Sequence, residues 1–230
     1  MASGKGSHAA RPAIGGRRLP APLVGAAIGT AAIAVLLGFG LLLDRWPFAF
    51  DRAIVLGLRR WGGPAWLRAA AIDVTALGSV TVLSLWVGFA VVLLAARRLW
   101  LTAAATLTAC LSVSLAIDAV KWDVARPRPT VVPHLVQVAH SSFPSGHAAG
   151  SAAIYLTLAA LASQVVPDRR GRHALIVMAV LLTGMIGASR VYLGVHWPSD
   201  VLAGWAFGTV WALAWWLATA GARQGIGGER

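Results

Sequence analysis

Lys121 is followed after six residues by Arg128-Pro129, and Pro144-Ser145-Gly146-His147 comes next. Ser189-Arg190 follows, then His196 after five intervening residues and Asp200 after three more. In this chain of 230 residues, these are the side chains whose types and spacing could do chemistry. Lys121, Arg128 and Arg190 supply three cations, two of them guanidiniums able to grip an oxyanion through paired hydrogen bonds. Pro144 suits the first position of a helix, which would leave the amides of Ser145 and Gly146 unpaired at its N-terminus. Such amides, with the helix dipole behind them, attract anions, and Gly146 lets backbone come close to one. This is the composition of a phosphate cradle. Two histidines add reactivity, because imidazole titrates near neutral pH and can act as nucleophile or acid–base. His196 and Asp200 are four apart, near one helical turn, so the carboxylate could hold one ring nitrogen and leave the other free to attack. His147 could protonate the leaving oxygen.

The elements that position these groups follow from composition. The chain is 58% hydrophobic and only 12% charged, half of the roughly 25% charged residues of a soluble domain. That excludes a disordered chain and a solvated nucleic-acid binder, although a net charge of +12 suggests an anionic partner. At ~20 residues per span, the length accommodates roughly six transmembrane helices. The expected fold is therefore all-α and polytopic, with spans near 21–43, 70–96, 99–120, 144–166, 174–190 and 198–220. A disordered cytoplasmic tail would occupy 1–20, the six-span domain 21–220 and a second cytoplasmic tail 221–230. Between spans one and two, Asp51 as N-cap and Gly62-Gly63 as stop delimit a short helix. Its Ile54, Val55, Leu58 and Trp61 share a face, which fits a helix lying in the membrane interface.

In this layout the reactive clusters fall at the end of span three, the start of four, the end of five and the start of six. All four points then share one membrane face. The N-terminus, the Arg97-Arg98 turn, the Arg169 loop and the tail hold eleven basic and two acidic residues, against nine and six on the other side. That bias places both termini in the cytoplasm and the clusters outside.

The three clusters match the signature of the type 2 phosphatidic acid phosphatase superfamily, K-x6-R-P, P-S-G-H and S-R-x5-H-x3-D, at every fixed position. A single four-residue cluster arises by chance in about one in 10³ chains of this length, so the ordered set is specific. The resemblance implies a phosphohistidine on His196 supported by Asp200, with His147 as acid for the leaving group and then base for water. Lys121, Arg128, Ser145, Gly146 and Arg190 would bind the phosphate, and no metal or other cofactor is implied. It implies a multi-pass phosphatase of the bacterial plasma membrane with its site facing the periplasm or exterior. Its partners would be the bilayer and a lipid phosphate or diphosphate, such as undecaprenyl diphosphate, phosphatidylglycerophosphate or phosphatidic acid. The alternatives are a phosphotransferase using the same phosphohistidine and a non-catalytic lipid-binding membrane protein.

Several residues have simpler readings. Arg126 stands at an unspecified motif position three residues after Asp123, and a local ion pair is expected. His134 and His140 read as solvated loop histidines, and Cys110 as a small packing residue. Trp46, Trp61, Trp66, Trp122 and Trp197 read as interface anchors, with Trp122 and Trp197 adjoining motif residues. Asp73 and Asp118 receive no role.

Overall fold

A computed structural model describes residues 47–225, the last six as helix backbone alone. The expected first span at 21–43, the tail at 1–20 and the end of the C-terminal tail lie outside the described residues. Seven helices and no strand occur among the described residues: α1 Ala49–Trp61, α2 Ala65–Ala76, α3 Val80–Ala96, α4 Trp100–Val124, α5 Gly146–Val165, α6 Arg169–Tyr192 and α7 Pro198–Gly225. Four of them, α4, α5, α6 and α7, are long and apolar enough to cross a membrane. A fifth span results if α2 and α3 are counted together, although a bend of 45° separates them.

That bend corrects the second expected span. The chain stops being helical around Leu77 to Ser79, where Ser79 caps α3 by accepting from the Val82 amide. The Tyr155 hydroxyl of α5 donates to the Leu77 carbonyl at 2.7 Å, satisfying a backbone acceptor released by the break. The span beginning near 174 is also longer, starting at Arg169 because Asp168 caps α6 through the Gly171 amide.

The short helix between the expected first two spans is present as α1, with altered ends and faces. Phe48 is its N-cap; Asp51 lies three residues in and accepts from the Phe48 amide at 3.2 Å. Gly62 ends it at a φ of 68°, a left-handed conformation natural to glycine. Asp51 and Val55 face inward, whereas Ile54 and Trp61 are exposed, so the expected apolar face is split between two surroundings.

The centre of the bundle is α5, whose run Ala148-Ala149-Gly150-Ser151-Ala152-Ala153 is wholly buried. Small side chains let neighbouring helices approach closely, a packing mode suited to a bilayer. A Cβ on Gly204 of α7 would sit 2.8 Å from the Ser145 carbonyl oxygen and 2.9 Å from the Ala148 Cβ. Trp205 of α7 donates its indole N–H to the Thr183 carbonyl of α6 at 3.1 Å, and Trp211 does the same to Ala109 of α4. Cys110 is buried in the main apolar cluster with Leu83, Ile154 and Ile186.

Candidate active site

The ends of α4 and α6 and the starts of α5 and α7 converge, and they carry the motif residues. Lys121 is in the last turn of α4. Its ammonium donates to the Ser141 carbonyl at 2.9 Å, while the Ser141 hydroxyl returns a bond to the Lys121 carbonyl. The helix stops when Ala125 turns left-handed, φ 44°, and Arg126 to Ser145 then form an irregular loop.

Within that loop Arg128 is held by carbonyls. Its guanidinium donates to His140 at 3.0 Å, Ala139 at 2.8 Å and Val195 at 2.7 Å. One of its nitrogens also lies 3.2 Å from the His196 Nε2. Arginine has no acceptor, so Nε2 must accept, which puts the proton of neutral His196 on Nδ1. Nδ1 lies 3.4 Å from the Asp200 carboxylate. His196 is 2% exposed; burial pulls its pKa down from 6.5 to about 4, against the raising effect of the Asp200 hydrogen bond. The imidazole is therefore neutral at physiological pH, with its Nε2 lone pair directed toward the arginine. Burial likewise lowers the Arg128 pKa.

His196 and Asp200 do not share a helical face. His196 precedes α7, and Asp200 is in that helix's first turn, where its carboxylate accepts from the Trp197 amide at 2.9 Å. A capping turn, rather than one turn of regular helix, brings the pair together.

The start of α5 also differs from expectation. The first helical residue is Gly146, and Ser145 is the N-cap; Pro144 precedes them, its own peptide bond to Phe143 being cis. The Ser145 amide is not spare, because it donates to the Asp200 carbonyl at 3.0 Å. An N-cap serine normally turns its hydroxyl back on the first helical turn. Here Ser145 Oγ makes no capping bond and is buried without a partner. A Cβ at Gly146 would meet nothing closer than the Lys121 Cε at 3.7 Å, so packing alone does not demand glycine there.

Arg190 is 5% exposed; one terminal nitrogen donates to the Thr75 hydroxyl at 3.2 Å, and its Nε has no partner. Thr75 comes from the α2 side of the bend. Gly78, in the bend itself, packs on His147, where a Cβ would stand 3.3 Å from the imidazole Cδ2. Arg190, His196, Arg128 and Lys121 all lie within electrostatic reach of that ring. The structure thus gathers Lys121, Arg128, Ser145, Gly146, His147, Arg190, His196 and Asp200, with two buried donors, Ser145 Oγ and Arg190 Nε, left over. Three cations around two histidines suit an anion and would repel a metal ion.

Other expectations need correction. Arg126 does not form its ion pair with Asp123, which is exposed. It turns inward, bonding Asp200 and, at 3.0 Å, Asp51. Ser142 and Ser199, both buried, complete this group and were absent from the sequence reading. The available signal for Asp51 was its place four residues before Val55 on the inner face of α1. Trp122 is 89% exposed and takes no part, whereas Trp197 is buried and stacks over Arg126 at 5.6 Å. His134 and His140 are exposed, as expected.

Comparison with known proteins points the same way. The PAP2 superfamily model matches residues 98–224. Phosphatidylglycerophosphatase B of Bacillus subtilis is 36% identical over 89 residues, covering 38% of this chain and 43% of that protein. Lipid A 1-phosphatase of Rhizobium etli is 35% identical over 103 residues, 41% of this chain and 40% of that one. The chain thus spans about two fifths of the length of these curated relatives. The crystal structure of the first transmembrane PAP2 type phosphatidylglycerolphosphate phosphatase, from Bacillus subtilis, superposes with a TM-score of 0.70 at 25% identity. It covers 86% of this chain and 95% of that one.

Proposed function

Because the chain belongs to the PAP2 superfamily, we propose that it hydrolyses a lipid phosphate or diphosphate at the outer face of a bacterial plasma membrane, through a phosphohistidine on His196 and without a metal. The observation that carries this reading is the setting of His196: buried, neutral, Nδ1 toward Asp200 and Nε2 toward Arg128. Arg128, Arg190, Lys121 and the Ser145 hydroxyl would take the phosphoryl oxygens. These groups gain most as negative charge spreads over the oxygens in the transition state.

In the first step the Nε2 lone pair forms a bond to phosphorus and the ester P–O bond breaks. His147 gives a proton to the departing lipid oxygen. In the second step His147 takes a proton from water, the water oxygen attacks phosphorus, and the P–N bond breaks to release inorganic phosphate and neutral His196. Asp200 stabilises the imidazolium character that His196 acquires, as a carboxylate does in other histidine-centred sites.

The test is phosphate release by the purified protein from phosphatidylglycerophosphate, phosphatidic acid, diacylglycerol pyrophosphate and undecaprenyl diphosphate. Wild type should turn over at least one, with EDTA without effect and vanadate inhibitory. His196→Ala should lose about 10³-fold or more in kcat, as removal of an attacking nucleophile does. Full activity in that variant would sink the mechanism.

A further inference from the structure

The Asp200 carboxylate is fully buried and receives more than His196. One oxygen takes a guanidinium N–H from Arg126; the other takes the Trp197 amide at 2.9 Å and the Ser142 hydroxyl. Arg126 is fixed in turn. Its second terminal nitrogen donates to the buried Asp51 at 3.0 Å, and its first also donates to the Ser199 hydroxyl at 2.9 Å. Asp51 accepts the Ser199 amide at 2.8 Å and hydroxyl at 2.6 Å. Ser142 is placed by its own amide, which donates to the Arg126 carbonyl at 2.8 Å, and its hydroxyl oxygen lies 3.4 Å from the His196 Nδ1.

Resting on the phosphohistidine reading, we infer that Arg126, clamped by Asp51, and Ser142 are positioning residues that lock the Asp200 carboxylate against His196 Nδ1. A buried carboxylate needs a cation and a full set of donors to stay ionised, and the guanidinium bonded to it is that of Arg126. A carboxylate held only by an imidazole could also rotate, and the ring would turn with it. Donors on both oxygens fix its plane, and so hold the His196 ring, whose Nε2 already accepts from Arg128, with its Nδ1–H aimed at the carboxylate. The forked guanidinium can bridge two carboxylates in a way that the single ammonium of lysine does not. The Lys-x6-Arg-Pro signature specifies neither Arg126 nor Asp51, and the Pro-Ser-Gly-His signature begins after Ser142.

Ser142→Ala and Arg126→Lys in the full chain, assayed with the panel lipid that wild type turns over fastest, test this. Both should lower kcat about 10- to 100-fold with KM within about twofold, as loss of a hydrogen-bond partner behind a reacting group does. In an Asp200→Asn background the same changes should cost less than about twofold, because residues acting through one group are not additive. With ¹⁵N-labelled histidine, the wild-type His196 signal, identified by its loss in His196→Ala, should report an Nδ1–H bonded to the carboxylate, and both variants should shift that Nδ1 signal as the bond loosens. Ser142→Ala removes a single oxygen and provides the test should Arg126→Lys fail to fold. Wild-type kcat in a folded Ser142→Ala protein, an unchanged Nδ1 signal, or losses that multiply in the Asp200→Asn background would overturn the inference. A shifted Nδ1 signal in a protein that releases no phosphate from any lipid would instead overturn the phosphatase reading and leave the positioning intact.

Discussion

At the scale of single residues, the candidate site leaves particular atoms unsatisfied. Ser145 is the clearest case. Replacing an ordinary N-cap serine by alanine costs about 1 kcal/mol, but the Ser145 hydroxyl caps nothing. Ser145→Ala should therefore leave the melting temperature in detergent unchanged and lower kcat/KM about tenfold, a combination expected of a ligand contact and not of a structural one. His196 makes a pH prediction. Its pKa is near 6.5 in an unfolded chain and about 4 here, so the unfolded chain takes up the proton first as pH falls. The stability it contributes is complete above pH 6.5 and is lost as pH drops toward 4, which melting scans between those values should show. For the same reason the free protein should keep His196 neutral at pH 5.5, and the acid limb of kcat/KM assigned to this group should lie below that value. The motif histidines and cations were legible because their chemistry is unusual for a membrane segment. Asp51, Ser142 and Thr75 were not, since their types are ordinary and their partners are remote. Asp51 meets Ser199 across 148 residues and Thr75 meets Arg190 across 115.

At the scale of elements, the last four of the six spans expected from the sequence are present with ends shifted by a few residues, and the differences occur where side chains override periodicity. Hydropathy reads straight through Leu77 to Ser79, yet the chain breaks there, because Ser79 caps α3 and Tyr155 satisfies the freed Leu77 carbonyl. The break gives the site Thr75 and Gly78, neither of which an uninterrupted helix would have flagged. The contact between α5 and α7 is the other element on which the geometry depends. Gly204→Val would drive a branched side chain into the Ser145 carbonyl and Ala148. Overpacking of this kind costs about 1–3 kcal/mol, and here it also parts Ser145 from Asp200. A lower melting temperature together with at least a tenfold loss of kcat is expected, whereas Gly88→Ala on α3, where a Cβ meets nothing within 4 Å, should change neither.

At the scale of the whole molecule, helix ends that lie far apart in sequence meet at one end of the bundle, while the Arg97-Arg98 turn and the start of α6 belong to the opposite end. The sole cysteine, Cys110, is buried, so the unaltered chain provides a silent background for sidedness. In right-side-out vesicles, Thr130→Cys should react with a membrane-impermeant maleimide and Arg170→Cys should not; the reverse pattern would put the site on the cytoplasmic face. The link between Ser145 and Asp200 has a consequence for protein engineering. The amide of one residue bonds the carbonyl of the other, so the pieces carrying His147 and His196 are joined backbone to backbone before any side chain is considered. Grafting the eight residues onto an unrelated helical scaffold would reproduce the inventory without that seam. Any portable form of the site would need the paired starts of α5 and α7, with Gly204 retained so that the two backbones can still touch, together with the ends of α4 and α6 that carry Lys121 and Arg190.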